Sequence, residues 1–251
     1  MSLTDEDIWH FRHNGYHVVA DVLPGGLTDR LNAVTDRHVS AKTEPIVWEL
    51  EAGHGKGVVR RLSKILARDP VYLEAASHPI VLDALETLVG PNIDLLTNKH
   101  NHIMVRPGGS DPVPWHRGEQ PWDMPLITGL IYLEESTVEN GCIRIVPGSH
   151  LSPFRETRRP DGGFDEVPQY RRSLPVPMSR GGVLLFNDAC FHGSGLNRTA
   201  ASRRSMTLAY RPHDSHDVLK EDPEKLLLRG ERSYVGHPFQ GTVERTTINL
   251  P

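Results

Sequence analysis

Cysteine is scarce: Cys142 and Cys190 are the only two among 251 residues. Two cannot staple a fold of this size, and neither has the paired spacing of a zinc site, so both read as buried free thiols in a reducing compartment. Long apolar runs are also missing. Nothing approaches the ~20 residues that a bilayer-spanning helix needs, and the opening MSLTDEDIWHF has neither the basic nor the apolar region of a signal peptide. The expectation is a soluble, cytoplasmic protein. There is no excess of positive charge either, since the net charge is −4. That argues against a nucleic-acid partner, because duplex binding relies on Lys and Arg neutralising phosphates. Hydrophobic residues at 37% and charged ones at 24% are neither extreme, which argues against global disorder and membrane spanning. The length suits one domain spanning 1–251.

Along the chain, Thr4 before three acidic residues predicts a capped helix that stops at Asn14-Gly15. A short strand over 16–22 follows, then a second helix over 24–40 with Leu27, Leu31 and Val34 on one face. Residues 41–58 lack a period and contain AGHGKG, which reads as a mobile segment. HPIVLDALETLV from His78 is an amphipathic helix closed by Gly90-Pro91. From Ile93 the pattern changes to strands: IDLLTN, HIMVRP, PLITGLIYLE, GCIRIV, GGVLLF, the segment around His192, and SRRSMTLAY. The stretch 151–180, rich in Pro and Arg, reads as a lid or insertion, and the tail after Pro212 as a cover for the barrel or a subunit contact. Strands spaced by turns with helices in front predict a mainly β chain with flanking α-helices, folded as a double-stranded β-helix: a cupin-like jelly roll.

Fourteen histidines are more than metal chemistry needs, so a lone His carries little weight. His100 and His102 read as one strand face and as packing residues. His116 and His192 are different, because of what surrounds them. A non-haem Fe(II) oxygenase holds its metal on two histidines and one carboxylate, leaving positions open for co-substrate and oxygen. The usual order is His-x-Asp, a distal His, then a basic residue that anchors 2-oxoglutarate. Here the order is His116-Arg117-Gly118, then His192, then Arg203, with glycine in the carboxylate slot. Residues two apart on a strand share a face, so Gly118 turns toward the metal side with His116 while Glu119 turns away.

Asn14-Gly15-Tyr16, Gly90-Pro91-Asn92-Ile93, Glu139-Asn140-Gly141-Cys142 with Pro147-Gly148-Ser149-His150, and His192-Gly193-Ser194-Gly195 through Asn197 to Arg203 together resemble the phytanoyl-CoA dioxygenase family. The resemblance runs from about residue 8 to 211. It implies an Fe(II)- and 2-oxoglutarate-dependent enzyme that uses O2, with His116 and His192 as iron ligands and Arg203, helped by Ser194, on the distal carboxylate of 2-oxoglutarate. His-x-Gly in place of His-x-Asp is similar to the Fe(II)/2-oxoglutarate halogenases, in which chloride takes the vacant coordination position. By the same resemblance Arg211 belongs to a hydrogen-bond network near chloride; a surface salt bridge is the alternative. Three readings stay open: a halogenase, a hydroxylase with an atypical metal site completed by Glu119 or water, and a non-catalytic binding protein.

For the substrate, the arginines of 151–180 and the pair Arg60-Arg61 have the planar fork that suits phosphate or carboxylate. The basic run at Arg60-Arg61 reads equally as a solvated face. Trp115 and Trp122 bracket the metal motif as candidate pocket walls. The expectation is a free, anionic small molecule such as a nucleotide, in preference to a substrate carried on an acyl carrier protein.

Overall fold

A computed structural model describes residues 3–50, 57–118, 126–152, 171–213 and 225–231 of the chain. Helix α1 (Asp5–Asn14) begins with a reciprocal capping box: Asp7 N–H donates to Thr4 Oγ1, and Thr4 N–H donates to the Asp7 carboxylate at 2.9 Å. It ends at Gly15, whose φ of 80° is the left-handed stop that the sequence predicts. Strand β1 (Tyr16–Val18) is shorter than the expected 16–22, because the chain bends at Ala20 and Asp21 to deliver Pro24 to the next helix. That helix, α2 (Gly25–Ser40), buries Leu27, Leu31 and Val34.

The expected mobile segment contains structure. Strand β2 (Ile46–Leu50) pairs antiparallel with β3 (Gly57–Ser63) at the edge of a sheet. Pro45 and the charged neighbours hide it from a pattern search, and an edge is where a sheet tolerates them. Most of AGHGKG lies outside the described residues. Helix α3 (Pro70–Ala76), which the sequence reading leaves unassigned, is capped by Asp69, whose carboxylate accepts from Val71 N–H at 3.0 Å. Helix α4 (Pro79–Val89) follows as predicted, with His78 as its cap.

The remaining strands are β4 (Ile93–Leu96), β5 (His102–Arg106), β6 (Val113–His116), β7 (Ile127–Tyr132), β8 (Ile143–Ile145), β9 (Leu174–Pro175), β10 (Val183–Asn187), β11 (His192–Ser194), β12 (Arg203–Pro212) and β13 (Lys225–Arg229). One sheet has nine strands in the order β1-β10-β7-β12-β5-β3-β2, with β4 and β13 continuing from the far end of β12; the other runs β6-β11-β8-β9. This is the two-sheet jelly roll. Alternation along β12 sorts the two faces of the large sheet. Met206, Leu208 and Tyr210 join the core formed with α2, α3 and α4, whereas Arg203, Ser205 and Thr207 turn into the space between the sheets. Gly129 on β7 has no side chain because a Cβ there would come within 2.8 Å of the Tyr210 ring, whose hydroxyl donates to Ala76 O at 3.0 Å.

In the stretch 151–180, expected as a lid or insertion, β9 pairs with β8 and Met178 bridges to Ser136, while residues 153–170 lie outside the described residues. Of the tail, β13 does pack on the barrel, against β4. Both cysteines are buried and free. Among the described residues no helix is long and apolar enough to cross a membrane.

Candidate metal centre

Strands β6 and β11 are neighbours in the small sheet, and their register sets His192 opposite His116. The two rings lie 4.2 Å apart between centroids, tilted by 55°. Each ring is fixed by its own backbone. His116 Nδ1 lies 2.8 Å from Pro114 O, and His192 Nδ1 lies 2.9 Å from Cys190 O. A carbonyl only accepts, so both Nδ1 atoms carry the proton and each Nε2 keeps its lone pair, the form in which histidine binds a metal. Burial, with His116 close by, pulls the pKa of His192 down to about 3. Desolvation lowers the pKa of His116 as well, although by surface area the residue is exposed.

Both rings line a cavity of about 300 Å³ between the sheets. Its far end is cationic. Arg203 on β12 and Arg106 on β5 are register partners, both almost fully buried, and both line the cavity. The buried Arg203 guanidinium in this wall suits an anion in the cavity. Arg203 Nε and the Tyr132 hydroxyl are buried without a hydrogen-bond partner among the described residues. Burial raises the pKa of Tyr132 and so keeps its hydroxyl protonated as a donor, while it lowers that of Arg203, whose charge an anion in the cavity would favour. Ser194, on the same wall, accepts from Val113 N–H at 3.3 Å. The donor set therefore fits two groups: a metal on the Nε2 atoms, and a dicarboxylate whose tail reaches Arg203 and Tyr132.

Gly118 does not face empty space. A Cβ built on it would lie 1.5 Å from Asp188 Oδ2. Asp188, buried in the turn after β10, also holds the strand end by accepting Gly118 N–H on its backbone oxygen at 2.7 Å. Its carboxylate is engaged on both sides: Oδ2 accepts from Lys99 Nζ at 2.8 Å, while Oδ1 accepts from Thr128 Oγ1 at 2.9 Å and lies 3.0 Å from His100 Nε2. Burial alone would raise the pKa of Asp188, but His100 and Lys99 outweigh it and keep the carboxyl ionised. Among the described residues no group of three His, Cys, Asp or Glu side chains is placed to hold a metal.

Several sequence expectations need correcting. His100 and His102 do not share a strand face: His100 sits in a bend with φ of 54°, and only His102 is on β5, although both rings line the cavity. The pair Arg60-Arg61 divides, with Arg61 on the cavity wall and Arg60 not. Arg211 is neither on the cavity wall nor at the surface. It is fully buried with its Nε 3.9 Å from Asp94, in a cluster that also gathers His213 and Lys225. Glu119 and Trp122 lie outside the described residues. Tyr132, Arg106, Lys99, Thr128 and Asp188 escape the sequence reading because no motif spacing marks them.

A second cavity, about 700 Å³, shares Arg61, His100 and His102 with the first and is also lined by Lys64 and Asn98. Among the described residues no carboxylate lines it.

The buried imidazoles set a pH dependence for the metal-free protein. His102, like His192, is pulled by burial from 6.5 to about 3. Between those values the unfolded chain binds protons that the fold refuses, so stability falls as pH drops below about 6.5. The melting temperature of metal-free protein is therefore lower at about pH 5 than at about pH 7.5, and His102→Gln flattens the difference. A flat profile in the parent contradicts this.

The sequence profile of the family described as "Phytanoyl-CoA dioxygenase (PhyH)" matches residues 11–205. A probable phytanoyl-CoA dioxygenase of Caenorhabditis elegans is 25% identical, over 84% of this chain and 76% of its own length. A probable alpha-ketoglutarate-dependent hypophosphite dioxygenase of Stutzerimonas stutzeri is 26% identical, over 76% of this chain and 72% of its own. Among solved structures, EctD from S. alaskensis with bound Fe superposes with a TM-score of 0.72 at 21% identity, covering 88% of this chain and 80% of that one. The non-heme alpha ketoglutarate dependent epimerase SnoN from nogalamycin biosynthesis gives 0.70 at 22%, covering 92% and 97%.

Proposed function

Because the chain belongs to the phytanoyl-CoA dioxygenase family, we propose that it is an Fe(II)/2-oxoglutarate-dependent enzyme that replaces a hydrogen on an unactivated carbon of an anionic small molecule with chlorine. The dioxygenase type is supported by the family and by relatives that carry that description. The halogenation step goes further than they do, and one observation carries it. The carboxylate slot beside the two histidines holds Gly118, and the acid that packs against it among the described residues, Asp188, already has both oxygens engaged. A metal on His116 and His192 alone keeps a coordination position that no side chain at 118 fills, and a small anion from solution suits that position on the metal although Asp188 takes the volume directly beside Gly118.

In this reading His116 and His192 offer Nε2 to the iron, and Arg203 with Tyr132 takes the distal carboxylate of 2-oxoglutarate. Bound iron with 2-oxoglutarate and O2 supplies the oxidising power that removes the substrate hydrogen, chloride supplies its replacement, and succinate, CO2 and hydroxide are released. The chain's own contribution is placement. Val113, Leu130 and Ile143 line the inner cavity with apolar surface, which limits water near the reacting carbon. Arg61 and Lys64 in the second cavity suit the substrate's anionic group, with no carboxylate among the described lining residues to repel it.

The test is an incubation of the iron-loaded protein with 2-oxoglutarate, O2 and a panel of phosphorylated and carboxylated metabolites, with and without chloride. A product carrying the chlorine isotope pattern, formed only when chloride is present, is expected. An oxygenated product formed at the same rate without chloride contradicts it.

A further inference from the structure

The volume beside Gly118 is full, and what fills it comes from another part of the chain. The ideal Cβ at 118 would meet three atoms of the Asp188 carboxyl group, at 1.5, 2.2 and 2.9 Å. The carboxylate cannot drift aside without cost. Its oxygens are held by Lys99, His100 and Thr128, which come from the bend before β5 and from β7. His100 adopts a left-handed backbone that non-glycine residues rarely take, and its ring reaches Asp188 from there. Gly118 N–H is tied to the Asp188 backbone oxygen as well, so both chains are registered to each other at this point.

We propose that Asp188 is a positioning residue for the metal centre: its clamped carboxylate takes the volume that any side chain at 118 requires, and so keeps residue 118 from contributing a ligand. The glycine is then a consequence of Asp188 as much as a cause of the two-histidine site. Lys99, His100 and Thr128 serve the same end by holding the Asp188 oxygens where they are. The two strand ends that carry His116 and His192 are also braced through it, because Asp188 bonds to the residue two after one ligand and lies four before the other. This inference rests on the reading of His116 and His192 as the metal pair.

The test is a double-mutant cycle of Gly118→Ala and Asp188→Ala, read by the melting temperature of metal-free protein, by Fe(II) affinity with 2-oxoglutarate, and by the Fe(II)–2-oxoglutarate absorption band under anaerobic conditions. In the parent background the added methyl has no space. Gly118→Ala is expected to lower the melting temperature by about 5 °C or more and to weaken Fe(II) binding by about tenfold, the range seen when the support of a metal ligand is disturbed. In the Asp188→Ala background the same methyl is expected to cost nothing further in either measurement. Equal losses in both backgrounds, or a silent Gly118→Ala in the parent, overturn the proposal. Should Asp188→Ala fail to fold, the parent comparison still decides, since a silent Gly118→Ala is incompatible with a clamped Asp188. Failure of the underlying reading looks different: the parent itself then shows no absorption band, while the melting-temperature cycle still tests the packing of 118 against 188.

Discussion

Arg203→Ala is expected to weaken 2-oxoglutarate binding by about a hundredfold, the loss typical when one member of a buried, charge-assisted pair is truncated. The residue is only 5% exposed, and its Nε lacks a hydrogen-bond partner among the described residues. Its register partner Arg106 leaves a second buried positive charge beside it. A carboxylate placed there satisfies the Arg203 Nε. Arg204, next along β12, cannot substitute, because alternation sends it to the other face, where it bonds Asp36 at 2.6 Å and lies 3.4 Å from Glu134. Calorimetry with 2-oxoglutarate and Fe(II), or with a redox-silent divalent metal in its place, checks the prediction. Unchanged affinity in Arg203→Ala would move the anchor elsewhere, whereas Arg203→Lys is expected to retain part of the binding by charge without the planar fork.

Gly118→Asp is expected to abolish chloride-dependent product, and two physical effects point the same way. An Asp at 118 restores a tethered carboxylate on the metal side, and tethering gives it an effective concentration that a free halide does not match. It also brings a second carboxylate into the space that Asp188 holds, 1.5 Å from the ideal Cβ. Like charges so close cannot both stay ionised and in place, so the variant must displace Asp188 or strain the strand end that carries His116. Hydroxylation does not follow automatically, since a misplacement of about 1 Å at the reacting centre is costly. The measurement is product mass under saturating chloride for parent and variant. Parental chlorination by Gly118→Asp would show that the missing carboxylate at 118 is not what admits halide to the metal.

Much of the architecture was legible because it is local. The Thr4–Asp7 box, the Gly15 stop and the 27–31–34 stripe of α2 each depend on neighbours within a turn or two, and the structure places them as the pattern requires. Strand β2 and helix α3 were not legible, since the one is five residues set directly after Pro45 and the other is only seven residues long. At the site, His116, His192 and Arg203 stood out by order and spacing, and the sheets bring all three to one cavity. Asp188 gave no signal. Its importance lies in a contact with Gly118 across the sheet, which neither residue's sequence neighbourhood reports. The same holds for His100, whose strand-like surroundings predicted a strand; the pull of Asp188 and the bend at 97–100 set it in a left-handed turn instead. Arg211 on β12 lies opposite Asp94 on β4, with its Nε 3.9 Å from that carboxylate, a contact between strands that its own sequence neighbourhood does not report.

The coordination of the iron itself tests the central claim most directly. X-ray absorption at the iron edge, recorded anaerobically on the Fe(II)–2-oxoglutarate complex with and without chloride, counts the ligands by type. The account predicts two imidazoles, no carboxylate from the protein, and a heavier, longer scatterer that enters the first shell only when chloride is added. A shell that is the same in both samples, with an oxygen ligand that is lost when Asp188 or Glu119 is replaced by alanine, would contradict it.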